Sequence, residues 1–303
     1  MIMTGSCSWT EKSLIRSGEF YPRGIKSAEE RLRYYADQFS TVEVDSSYYA
    51  IPDKGNAALW AARTPDDFVF HVKAFGALTG HGIDPKTLPK DIASLLPGSE
   101  QEKRNIYIKS SEILKIVGER FVESLSPLRE KNKLGVIVFQ YPPWFHYNTE
   151  NLHHLLGCKE LMDGLDLAVE FRHGSWLTPQ RARTVLDFLR ENGTTYIPAD
   201  EPQYGTLATV PFVPAVTTET AYFRFHGRNR ENWLKKGLET SLRYDYLYSD
   251  DELGEFAEPI IEAHRKTEKV YAMFNNCHGA SAMRNARRLK EMLKQRGEKV
   301  ARG

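Results

Sequence analysis

The chain has 303 residues, is 41% hydrophobic and 27% charged, and carries a formal net charge of +1. That composition suits a folded globular chain with a full core, and it excludes a collagen-like, low-complexity or strongly disordered chain. The near-zero net charge supplies no global field for nucleic acid or a membrane surface, and no apolar run reaches the ~18 residues of a spanning helix.

Apolar strand-like segments alternate with helical ones along the whole length. Ile2 to Cys7 opens as a strand, and Ser27 to Phe39 follows as a helix with Leu32, Tyr35, Ala36 and Phe39 at helical spacing. Ser27 and Glu30 have the spacing of a capping box. Thr41 to Ser47 is β, Asp53 to Arg63 helical, and Phe68 to Lys73 the third strand. Residues 76–105, rich in Gly and Pro, are too long for an ordinary βα connection and form a candidate lid. A helix at Ser110 to Leu125 leads to a nearly continuous apolar strand, Leu134 to Gln140. Asn151 to Met162 and Pro179 to Arg190 are helices on either side of strand five, Leu167 to Phe171. Tyr196 to Pro198 is a short sixth strand, and the crossover at Thr206 to Thr218 lacks a clear helix. Ala221 to His226 and Val270 to Asn275 are strands seven and eight, with helices at Asp250 to His264 and Ser281 to Gln295.

Eight parallel strands with intervening helices predict an α/β chain, one closed (β/α)8 TIM-like barrel over residues 1–303, with an insertion after strand three. A doubly wound open sheet is the runner-up, weakened because no G-x-G-x-x-G follows a strand. The same absence leaves no nucleotide-cofactor signature. Cys7, Cys158 and Cys277 fit neither a disulfide framework nor a zinc motif, and Met1 leads straight into a strand. A cytoplasmic setting is therefore the expectation.

The strand exits carry the chemistry. Alternation groups Glu43 with Asp45, His71 with Lys73, Glu170 with Arg172, and Arg224 with His226. Gln140, His173, Asp200, Asn275 and Asn276 lie at further exits. Glu43, Lys73, Glu170 and His226 are the candidate catalytic groups, since carboxylates and a histidine suit proton transfer. Trp9, Asp45, His71, His81, Gln140, Arg172, His173, Asp200, Arg224, Asn275 and Asn276 are candidate ligand contacts. Lys73, Arg172 and Arg224 point to a small polar or anionic ligand such as a phosphate or carboxylate. The bland alternative is that these charges neutralise one another in a structural network. Ser8, Trp9 and Tyr49 are candidate stacking groups beside a ring, although half-buried packing is the commoner use of such residues. His71, His173 and His226 with Glu43, Glu170 and Asp200 could assemble a metal site from separate strands, but the interleaved cations disfavour it. Asn275, Asn276 and Gly279, with Gly227 and Arg228, resemble a loop-and-helix phosphate site, and ordinary turn chemistry explains the glycines equally well. Cys277 beside His278 shows no ordering partner and is not assigned a nucleophilic role.

Several stretches together resemble domain-of-unknown-function family 72, also described as YecE-like and sugar-isomerase-related. They are G-S-C-S-W at Gly5 to Trp9, F-Y-P at Phe20 to Pro22, V-E-V-D-S-S-Y-Y-A-I-P at Val42 to Pro52, and K-A-F-G-A-L-T-G-H at Lys73 to His81. Q-Y-P-P at Gln140 to Pro143, V-E-F-R-H-G-S-W at Val169 to Trp176, F-R-F-H-G-R at Phe223 to Arg228 and F-N-N-C-H-G-A-S-A from Phe274 complete the set. The resemblance implies a TIM-barrel-like fold and family-typical positions at Glu43, Lys73, Thr79, His81, Gln140, Glu170, Arg172, His173, Arg224, His226, Asn275 and Asn276. The chain departs at Cys7-Ser8, where the family often has a Gly between Ser and Trp, and in the loop from Gly82 to Arg104. The reading that follows is an isomerase or lyase acting on a sugar or sugar acid by general acid/base catalysis. The alternatives are a metal-assisted endonuclease or nucleic-acid repair protein, and a non-catalytic binding protein.

Overall fold

The computed structural model describes every residue except Asp163 and Gly303. Among the described residues, nine strands form one all-parallel sheet: β1 Ile2–Ser6, β2 Thr41–Val44, β3 Val69–Lys73, β4 Leu134–Gln140, β5 Leu167–Glu170, β6 Thr195–Tyr196, β7 Ala199–Asp200, β8 Thr220–Phe225 and β9 Lys269–Phe274. Their order is β6-β5-β4-β3-β2-β1-β9-β8-β7.

The expected closed barrel is overturned. The sheet is an open, curled half-barrel that sweeps 305° and leaves its edges 9 Å apart, about twice the ~4.8 Å spacing of paired strands. The two edges are neighbouring pieces of one chain segment. The expected sixth strand is split at Ile197-Pro198 into β6, which pairs with β5, and β7, which pairs with β8. Proline has no N–H to give a ladder and is poorly tolerated inside a sheet, which accounts for the break. The isomerase reading, which came with the TIM-barrel-like family resemblance, conflicts with this open topology and is withdrawn.

The helices lie outside the sheet. Ala28–Gln38 begins with the expected capping box, in which the Ser27 side chain and the Glu30 side chain each serve the other's backbone N–H. A second capping box, Ser249 with Glu252, opens the helix Asp250–His264. Two layers of apolar contact follow from strand alternation. Phe223 and Phe225 face the helices and join the main core, whereas Tyr222 joins Met3, Val138, Ala168 and Met273 inside the curl. Residues 76–105 fold as short helical turns, tied by an Ile83–Ile106 bridge and anchored by buried Leu88, Ile92 and Leu96. No helix among the described residues is long and apolar enough to cross a membrane.

Candidate functional site

Inside the curl, successive strand exits raise charged side chains toward one another. Arg224, fully buried on β8, donates to Glu43 of β2 at 2.8 Å, to Glu170 of β5 at 2.6 Å and to Gln140 of β4 at 2.8 Å. Tyr222, two residues earlier on the same face, donates to the other Glu43 oxygen at 2.8 Å. Glu170 also accepts from Arg172 at 2.9 Å and lies 3.0 Å from His226 Nε2, and Asn275 contacts His226 Nδ1 at 2.9 Å. Seven of the sequence-derived residues thus meet in a single network. Burial works against the charge on Glu170, but the guanidinium of Arg224 wins and holds its pKa well below the ordinary carboxylate range. Burial pushes His226 down to about 3, so the ring is neutral and serves as a hydrogen-bonding group.

Beside this network, Lys73 donates to Asp45 at 2.9 Å and lies over the Tyr48 ring, 4.7 Å from its centroid. Burial alone would depress Lys73; Asp45 outweighs it and raises the ammonium above its usual pKa. His81 contacts Thr79 at 2.8 Å, and burial lowers it to about 4.

Other expected residues turn elsewhere. His71 sits deeper in the curl between the Tyr222 and Tyr271 rings, and its Nδ1 accepts from the Val136 N–H at 3.0 Å. Trp9 packs against Trp60 and Phe70 in the main core. Asp200 faces the outer helices, where it accepts from Arg228 and Tyr248. Asn276 donates to the Tyr246 carbonyl and to Asn285. His173 contacts Ser175 through Nδ1 and borders the cavity described next. The Gly279 N–H donates to Ser13, and Cys277 has its thiol pushed up by burial. Among the described residues no three His, Cys, Asp or Glu side chains meet in a group suited to a metal ion.

The structure adds Glu201, which sequence reasoning missed. It follows β7 and turns to the opposite side from Asp200, onto the wall of a cavity of about 600 Å³ that it shares with Arg172, His173, Trp233 and Arg243. One carboxylate oxygen accepts from the Val210 N–H at 2.8 Å. The other lies 3.1 Å from Arg172 Nε, yet the angle leaves it without a hydrogen-bond donor among the described residues. Burial raises the Glu201 pKa to about 7, with Arg172 opposing. The adjacent acids Asp200-Glu201 were visible at a strand exit. Which one faces inward depends on the break at Pro198, which interrupts the alternation. Trp233 was likewise not singled out; its ring lies 5.0 Å from the Arg172 guanidinium.

A family profile described as "Protein of unknown function DUF72" matches residues 3–303. The chain is 32% identical over 297 residues to the UPF0759 protein YunF of Bacillus subtilis (strain 168), covering 97% of this chain and 95% of that protein. A DUF72 family crystal structure from Thermotoga maritima MSB8 superposes with a TM-score of 0.76 at 31% identity, covering 97% of this chain and 99% of the other. One from Enterococcus faecalis V583 gives 0.79 at 28% identity, covering 97% and 96%.

Proposed function

Because the chain belongs to the DUF72 family, described as of unknown function, we propose a function from the site itself: general acid/base catalysis of a lyase type on a sugar-class ligand, with Glu201 as the proton-transferring group. The observation that carries this reading is the buried Glu201 oxygen that lies 3.1 Å from Arg172 Nε behind the cavity wall and has no hydrogen-bond donor among the described residues. A carboxylate whose pKa lies near neutrality can both accept and return a proton at working pH.

In the reaction we envisage, Glu201 takes the proton from the carbon beside a sugar carbonyl, whose oxygen faces the Arg172 guanidinium. The electron pair forms a carbon–carbon double bond and expels the hydroxyl on the next carbon. The proton held by Glu201 leaves with that hydroxyl as water, and the carboxylate is restored. Glu43, Glu170, Arg224 and His226 hold Arg172 in place beneath the cavity.

Counted over the buried network and the cavity wall together, with Glu201 ionised, four carboxylates (Glu43, Asp45, Glu170, Glu201) are matched by four cations (Lys73, Arg172, Arg224, Arg243), which favours an uncharged sugar over a phosphorylated one.

The test is proton NMR in D2O with a panel of aldoses, ketoses and sugar acids. Wild type is expected to bind at least one and to lose its proton beside the carbonyl as the dehydrated product forms. Glu201→Gln should bind the same sugar and form no product. Product formation that survives in Glu201→Gln would remove Glu201 from the mechanism, and binding without product formation in wild type would assign the cavity to a non-catalytic binding protein.

A further inference from the structure

Exposed aromatic side chains are unusual enough on a folded surface to need a reason when they line up beside a polar cavity. Four rings form a continuous row across the exits of β2, β3 and β4. Tyr49 lies 5.0 Å from Tyr48, Tyr48 lies 5.1 Å from His81, and His81 lies 5.7 Å from Trp144, centroid to centroid and all edge to face. The inner members are held by the site already described, Tyr48 beneath Lys73 and His81 by Thr79. The outer members are open to solvent: Tyr49 is 58% and Trp144 56% exposed.

Trp144 also stands between two cavities. The turn that carries it contributes Pro143 to the cavity of Arg172 and Glu201, and contributes Pro142 and Trp144 to a second cavity of about 410 Å³. Thr79, Glu150, Asn151 and His154 supply the polar groups of that second cavity, which has no Lys or Arg among its described lining residues. An aromatic face bordered by an amide and a carboxylate matches a sugar ring, whose C–H face is apolar and whose rim is hydroxylated.

We propose that this second cavity is a further sugar subsite, and that the ligand is an uncharged oligosaccharide of at least two residues. One residue occupies the Arg172–Glu201 cavity and the next stacks on Trp144. The inference rests on the sugar-class reading of the first cavity and extends it. Single-stranded nucleic acid also stacks on aromatic rows, but it needs cations along its phosphates. Here Lys73 and Arg172 are matched by carboxylates, and Glu150 would face the chain.

The experiment is titration calorimetry of the full chain with neutral mono-, di- and trisaccharides and with a short thymidine oligonucleotide, using wild type, Trp144→Ala and Tyr49→Ala. Both side chains are exposed, so neither substitution should disturb the fold. Affinity is expected to rise about tenfold from mono- to disaccharide and to lose about the same factor in Trp144→Ala. Monosaccharide binding should be unchanged by that substitution. If sugars bind with an affinity independent of length and of Trp144, the second subsite is overturned while the acid/base reading of the first cavity stands. If no sugar binds at any length, both fall. Oligonucleotide binding that is lost in Trp144→Ala would assign the aromatic row to nucleic acid and overturn the proposal.

Discussion

The two sides of the curled sheet are built differently. On one side β1, β9 and β8 run in unbroken register, from Ile2 against Val270 to Ser6 against Phe274 and from Thr220 against Lys269 to Phe225 against Phe274. On the other side two-residue strands flank Pro198, and side chains stand in for missing strand neighbours. There the Thr217 hydroxyl accepts from the Tyr196 N–H at 2.8 Å and donates to the Thr194 carbonyl at 2.7 Å. The regular side, through Arg224, delivers a charge paired at both terminal nitrogens by Glu43 and Glu170, with only its Nε lacking an acceptor among the described residues. The broken side delivers Glu201, whose carboxylate is only half satisfied. The carboxylate oxygen without a donor thus lies where the ladder fails, because an interrupted strand frees a side chain from the pairing that regular alternation imposes.

The largest effect should come from removing the locked charge on the regular side. Arg224→Met leaves Glu43 buried without its cation and Glu170 with Arg172 alone, and a loss of about 3–5 kcal/mol in urea unfolding is expected. A loss below about 1 kcal/mol would show that the two carboxylates do not depend on Arg224, and the contrast would break.

The next effect belongs to the broken side and depends on pH. Glu201 is raised from 4.5 to about 7 on folding. Its neutral form is favoured in the folded state, so its contribution is fully present below pH 4.5 and is lost as pH rises through 7. The stability of wild type relative to Glu201→Gln should therefore fall by about 3 kcal/mol across that window. The buried histidines act in the opposite sense. His71 and His226, held at about 3, and His81, at about 4, destabilise the fold as pH drops below 6.5. Subtracting the Glu201→Gln curve removes their common slope, and a flat difference would mean that Glu201 titrates normally.

The smallest effect compares single hydrogen-bonding side chains. Thr217→Val leaves the buried Tyr196 N–H without its acceptor and should cost about 1–3 kcal/mol. Ser249→Ala removes one capping bond at an exposed helix start and should cost about 1 kcal/mol. Equal losses in thermal unfolding would mean that the broken edge is no more dependent on side-chain stitching than a helix terminus.

Much of this was legible in the residues. Strand alternation placed Glu170 with Arg172 and Arg224 with His226, and the spacing of Ser27 and Glu30 announced a cap that forms. Closure was not legible, because it depends on how one short strand meets both neighbours, and Pro198 alone does not say whether the ladder is broken or only bent. Glu201 was hidden for the same reason: beyond a break, the two-residue period no longer tells which of two adjacent acids turns inward. His71 shared a face with Lys73 as expected, but depth along the strand, which a pattern of faces does not encode, put it among tyrosines.

The exposed indole of Trp144 has one more consequence. Trp9, Trp176 and Trp233 are buried and Trp60 is half-buried, so Trp144 is the tryptophan most open to water. Its emission should be the longest in wavelength and the first quenched by a soluble collider such as iodide. The chain therefore contains its own fluorophore at the edge of the cavity, and occupancy there can be followed optically without attaching a label.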